Sequence, residues 1–134
     1  MLKKIFFLFL LSGVLFLASC TRERPILNLQ NQPVAQELSA KQVKKCMELA
    51  GISRGWQMQT VKPGLIHGTI STRGHYAVVN IPYSNHGYSI EYQSSVNLLE
   101  KNGYIHRNYN RWISSLNQSI VENLAKEQRN NYKD

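Results

Sequence analysis

The densest group of side chains able to do chemistry lies in Ile105-His106-Arg107-Asn108-Tyr109-Asn110-Arg111-Trp112-Ile113. His106, Tyr109, Asn110 and Ile113 stand at i, i+3, i+4 and i+7, so a helix places an imidazole, a phenol and an amide on one stripe. A buried polar group without a partner costs about 1–3 kcal/mol, which leaves two readings of the stripe. In one it is a clamp, with His106 and Asn110 bonded to backbone or turn groups near the end of a sheet. In the other it lines a small polar pocket for a sugar or peptide, with Tyr88 or Tyr92 at the mouth. Arg107 and Arg111, one turn apart on a neighbouring face, are placed to hold an anionic partner.

Other chemistry finds little support. His67 and His75 flank the turn at Thr72-Arg73-Gly74, but strand alternation sends them to opposite faces. His86 sits in a turn, and none of the four histidines has a carboxylate or thiol at ligand spacing. No metal and no cofactor are expected. Beyond residue 19 the chain has a single Asp, Asp134, and no carboxylates close enough in sequence to form an acid–base pair. It has no Gly-x-Ser-x-Gly elbow and no phosphate-cradling glycine loop. The expectation is a protein that is not an enzyme.

A second cluster carries chemistry of another kind. The chain opens Met1-Leu2-Lys3-Lys4 and runs apolar from Ile5 to Leu17, broken only by Ser12 and Gly13. It then exits through Leu17-Ala18-Ser19-Cys20. A basic start, an apolar run of about a dozen residues and a small-residue exit form a secretory signal. The run is shorter than the roughly 20 residues that span a bilayer. The exit resembles the bacterial lipobox, which implies a diacylglycerol on the Cys20 thiol, cleavage before it and acylation of the new amine. One acyl chain binds a membrane only marginally, whereas three on one residue hold it for good. By the same resemblance, Thr21 in place of an Asp favours the outer membrane, with the periplasmic side of the inner membrane as the alternative.

Removal of residues 1–19 leaves 115 of the 134 residues, enough for one small domain. The formal charge of that chain is +6, from 14 basic and 8 acidic residues, with no basic run longer than two. Scattered charge in an exported protein argues against nucleic acid and for anionic envelope neighbours. With Cys20 lipidated, Cys46 has no partner for an intramolecular disulfide.

The elements that position these residues follow from periodicity. Ser39 and Gln42 form a capping box, Gly51 reads as a stop, and Val43, Cys46, Met47 and Ala50 make one buried helical face. Trp56–Thr60, Ile66–Ile70, Ala77–Tyr83 and Tyr88–Tyr92 alternate as strands, with turns at Lys62-Pro63-Gly64, Thr72-Arg73-Gly74 and Ser84-Asn85-His86-Gly87. A four-residue loop at 84–87 sets Tyr83 opposite Tyr88, Ile81 opposite Ile90 and Val79 opposite Tyr92. Tyr109, Trp112, Ile113, Leu116, Ile120 and Leu124 recur at helical spacing.

The expected fold is α+β, an antiparallel four-stranded meander with two helices packed on one face. The expected boundaries are a signal peptide at 1–19 and a lipidated cysteine with its tether at 20–34. A single domain follows at 35–125, then a frayed tail at 126–134. A short strand at 26–29 is the option for a fifth member of the sheet. The sheet's outer face, with His67, Tyr76 and Val78, is left open to that strand, a second copy or a partner.

Arg54-Gly55-Trp56, Pro63–Ile70 (PGLIHGTI), Tyr88–Tyr92 (YSIEY) with Ser95-Val96-Asn97-Leu98, and Ile105–Ile113 are similar, in this order, to a group of small, uncharacterised lipoproteins of proteobacteria. The resemblance covers nearly the whole mature chain. It implies a lipid-anchored envelope protein and brings no catalytic residues. The reading is therefore a non-enzymatic interaction or assembly module facing the periplasm. It is held in the membrane through the lipid on Cys20 and meets an envelope protein or cell-wall partner. The alternative is a binding protein for a small glycan or peptide fragment at His106, Tyr109, Asn110, Tyr88 and Tyr92.

Overall fold

A computed structural model describes residues 21–133. Residues 1–20, on which the expected signal peptide and the lipidated Cys20 fall, and Asp134 lie outside the described residues. The elements run β1 (Glu23–Pro25), β2 (Leu29–Pro33), α1 (Ala40–Ser53), β3 (Trp56–Lys62), β4 (Leu65–Thr72), β5 (His75–Pro82), β6 (Gly87–Val96), β7 (Tyr104–His106) and α2 (Arg107–Asn131). This is an α+β fold with an antiparallel five-stranded sheet in the order β2-β6-β5-β4-β3 and a small β1-β7 ribbon.

The meander forms where alternation placed it. Ile66, Ile70, Ala77, Val79, Ile81 and Ile90 all turn inward and are buried. Val43, Cys46, Met47 and Ala50 of α1, and Tyr109, Ile113, Leu116 and Ile120 of α2, join them in one core. Each valine, leucine, isoleucine or methionine side chain among them contributes about 1.5–3 kcal/mol when fully buried. Two turns show why the register is fixed. Arg73 (φ 51) and Gly74 (φ 77) are both left-handed, the requirement of a two-residue hairpin. Tyr83 stands opposite Tyr88 and Val79 opposite Tyr92. Between Val78 and Val79 the register shifts by a bulge in β6, which adds twist there.

The capping box is present in both directions: Ser39 Oγ accepts from Gln42 N at 3.2 Å, and Ser39 N donates to Gln42 Oε1 at 3.0 Å. Gly51 is not the stop it was expected to be. It lies inside α1, buried, where its missing side chain admits Met58 of β3. The helix ends at Arg54, whose N–H donates to Ala50 O at 3.2 Å and Gly51 O at 3.0 Å, and Gly55 (φ 80) then reverses the chain.

Two expected boundaries differ. The stretch 20–34 is not a free tether, because from Glu23 it is paired into the domain. The extra strand is β2, at 29–33 rather than 26–29, and it lines the β6 edge instead of covering the outer face. That face keeps His67 and Asn80 joined across β4 and β5 at 2.9 Å. The tail at 126–134 does not fray at residue 126. α2 continues to Asn131, and Gln42 Nε2 donates to Glu127 Oε1 (3.2 Å) and Asn131 Oδ1 (2.9 Å), while Tyr132 OH donates to Glu37 Oε1 at 2.9 Å. No helix among the described residues is long and apolar enough to cross a membrane.

Candidate functional site

His106 ends β7 and is the N-cap of α2. Its Nδ1 accepts from Asn108 N at 3.1 Å, the bond a capping side chain makes to an otherwise orphan helix donor. Its own N–H donates to Leu98 O at 2.7 Å. Burial, and then the positive charges of Arg107, Arg22, His75 and Arg111, hold its pKa below the usual histidine range. The ring is therefore a neutral acceptor at neutral pH.

Asn110 reaches across 83 residues of sequence to the β1–β2 connection. Its Oδ1 accepts from Leu27 N at 3.0 Å and its Nδ2 donates to Pro25 O at 2.9 Å. His106 and Asn110 thus spend these polar atoms on backbone. Arg107 and Arg111 are exposed, and Arg107 N donates to Arg22 O at 2.8 Å.

The three tyrosines lie along the seam where α2 runs beside β6. Tyr109 packs edge-on against Tyr92, with ring centroids 5.5 Å apart. Tyr88 OH donates to Asn117 Oδ1 at 2.6 Å. The spacing is consistent: eight helical residues from Tyr109 to Asn117 rise about 12 Å, and four strand residues from Tyr88 to Tyr92 about 13 Å. The helix and strand therefore run side by side in opposite senses. Burial pushes the Tyr88 phenol up to about 12, and that of Tyr109 up as well. Tyr109 OH is buried with no hydrogen-bond partner among the described residues. Tyr92 OH lies 2.8 Å from Ser95 Oγ.

A concave surface lies elsewhere, at the end of the sheet carrying the 84–87 turn. It is an open groove of about 540 Å³ whose lining includes Gln30, Asn31, Tyr83, His86, Tyr88 and Glu91. Only Tyr88 belongs to the group singled out from the sequence. The groove exists because β2 lies close against the turn: Val34 N donates to His86 O at 3.2 Å, and a Cβ on Gly87 would stand 2.8 Å from Gln32 O. Two tyrosines flanking a glycine turn were visible in the sequence. The strand forming the opposite wall was not, because β2 is short, polar and ends in Pro33. Amides, a carboxylate and aromatic rings on an open surface can bind a polar ligand.

Cys46 is buried, and burial raises its thiol to about 11, so it is inert at neutral pH. Among the described residues no group of three or more His, Cys, Asp or Glu is arranged to hold a metal ion.

Fold and surface together define a small α+β domain with helices on one face of an antiparallel sheet and an open groove at one end. No family model matches the chain, and neither a curated protein nor a solved structure matches it.

Proposed function

We propose that the chain is a lipid-anchored bacterial envelope protein, held by acyl chains on Cys20 at the periplasmic face of the outer membrane. We propose further that it acts there as a non-enzymatic interaction or assembly module, as its resemblance to small proteobacterial lipoproteins implies. The observation that carries the reading is the position of the first folded residue. Glu23 is already paired to His106, three residues past a cysteine in lipobox context. A lipid there holds a whole domain at a membrane surface, an arrangement suited to presenting a binding face. Metabolic labelling with radioactive palmitate tests the anchor: label is expected on the wild type and absent from Cys20→Ala, and label retained by the variant overturns it. Cross-linking in intact cells, read by mass spectrometry, tests the module, with a reproducible envelope protein or cell-wall adduct expected.

A second reading, a receptor for a small glycan or peptide fragment, is favoured by the groove beside the 84–87 turn. Its ligand sits against Tyr83 and Asn31 and not at His106 and Asn110, whose polar atoms hold backbone. Peptidoglycan fragments should then shift the NMR signals of Asn31, His86 and Glu91 in the wild type and leave them unmoved in Tyr83→Ala.

A further inference from the structure

The end of the domain where β1 begins gathers basic residues that the sequence scatters. Pairing of β1 with β7 sets Glu23 opposite His106, and the Arg107 N–H bonds the Arg22 carbonyl. Arg111 follows one helical turn later. The β4–β5 turn is tied to the same place: His75 Nδ1 is 2.7 Å from Asn97 O, and Asn97 Nδ2 donates to Gly74 O at 3.2 Å. The next carbonyl, that of Leu98, receives the His106 N–H. Arg73, in that turn, therefore stands at the same end. Arg22, Arg73, Arg107 and Arg111 are all exposed. Lys101 adds to them, and Glu23 and Glu100 are the acids of the neighbouring strand and loop.

Apolar surface lies among these charges. Leu99 is 56% exposed and Tyr104 50% exposed. Leu99 has φ 58, a left-handed conformation that favours glycine, yet a leucine occupies it and points at solvent. Exposed aliphatic and aromatic side chains rimmed by cations are the composition of a surface that enters the headgroup layer of a bilayer.

We propose that this end of the domain is a seat for a phospholipid leaflet: Leu99 and Tyr104 enter the headgroup layer while Arg22, Arg73, Arg107 and Arg111 bind the phosphates of anionic lipids. The proposal rests on the lipidation of Cys20 proposed above. Three residues from Cys20 to Glu23 reach at most about 10 Å, so an acylated Cys20 keeps the β1–β7 end within reach of the membrane, while the link by itself does not fix which way that end faces. The surface that is brought to the lipid is the cationic one. The guanidinium forks match phosphate oxygens in geometry as well as charge. The domain is thereby held in one orientation and does not swing on its anchor.

The test uses full-length protein purified from membranes. Intact mass first reports whether the mature N-terminus carries acyl chains; an unacylated protein overturns the anchor and, with it, the seat. Nitroxide labels are then placed on Asn102→Cys, beside the seat, and on His86→Cys at the far end, Cys46 being buried and unreactive. In vesicles of phosphatidylethanolamine with phosphatidylglycerol, the label at 102 should lose collisions with a water-soluble nickel chelate by about twofold or more. The label at 86 should not. Phosphatidylcholine vesicles, high salt, or Arg22→Gln with Arg107→Gln and Arg111→Gln should each restore accessibility at 102. A 102 label as accessible as the 86 label in anionic vesicles overturns the seat on acylated protein. Protection that is unchanged in phosphatidylcholine and in high salt overturns the role of the arginines, whatever the folding of the variant.

Discussion

Asn110 and Leu27 are joined at 3.0 Å through the asparagine Oδ1, and the same amide donates to Pro25 O at 2.9 Å. One side chain of α2 thus satisfies the last carbonyl of β1 and one N–H of the link between β1 and β2. Pro25 has no N–H to offer a ladder, so this link cannot continue as regular sheet. Asn110→Ala should destabilise the fold by about 1–3 kcal/mol, the cost of stranding these two groups, and lower the melting temperature by roughly 5–15 °C. Asn110→Asp keeps the acceptor and loses the donor, and should fall between the two. Thermal unfolding followed by circular dichroism checks the order; an alanine variant as stable as the wild type refutes the clamp.

His106 makes stability depend on acid. Its native pKa is held down by burial and by surrounding positive charge, and its cap needs an unprotonated Nδ1. The unfolded chain takes up a proton near the ordinary histidine value of about 6.5, while the native state resists it. Stability contributed by this group is therefore full above that value and lost as pH falls through the depressed native pKa. Asn at position 106 caps without titrating. The difference in unfolding free energy between His106→Asn and wild type, from urea titrations, should shift in favour of the variant as the pH drops from about 7.5 to about 5. A difference that does not change with pH would show that the ring contributes nothing to acid sensitivity.

Tyr109 and Tyr88 should respond in opposite ways to the loss of a hydroxyl. The Tyr109 hydroxyl is buried without a partner among the described residues, so Tyr109→Phe should be neutral or stabilising by up to about 1 kcal/mol. Tyr88→Phe removes the bond to Asn117 and strands its Oδ1, at a cost of about 1–2 kcal/mol. Denaturant midpoints of the two variants at constant m-value decide it.

Gly51 and Met58 form a coupled pair. A Cβ at position 51 would collide with Met58 Cγ and come within 2.7 Å of its Sδ. Gly51→Ala gains helix propensity, about 1 kcal/mol, but forces Met58 out of its place, for a net loss of about 1–3 kcal/mol. In a Met58→Ala background the same change should become neutral or favourable. The coupling energy of the double-mutant cycle measures this directly.

The sheet was legible because its strands alternate with one face in the core, so that Ile66, Ile70, Val79, Ile81 and Ile90 repeat at the period a pleat demands. The helices were legible from Ser39 with Gln42 and from the apolar stripe of Tyr109 through Leu124. Elements whose stability comes from elsewhere were not. β1 and β7 are three residues each, and β2 reads Leu-Gln-Asn-Gln-Pro, with no pattern to declare it. The last turns of α2 carry no apolar stripe and are held by side-chain bonds from Gln42 and Glu37, some 90 positions away. Gly51 has the residue type of a stop, and only the position of Met58 shows otherwise. In the same way the polar stripe His106–Asn110 announced buried polarity, while the partners of the Asn110 amide, Leu27 N and Pro25 O, could not be read from local spacing. The arginines at 22, 73, 107 and 111 look like scattered solubilising charge until the hairpin at Arg73 and the β1–β7 ribbon bring them to one end.

Strand β5 also works as a spacer. It runs from His75, beside the basic end, to Pro82, which lines the groove, and eight residues of strand measure about 23 Å. Ionic atmosphere damps the field of exposed charges over about 10 Å at 0.1 M salt. With the basic end on a leaflet, the groove stands more than two such lengths away, beyond electrical contact with the lipids. What the groove meets is then chosen by its own side chains, and the same domain would offer it unchanged on membranes of different charge.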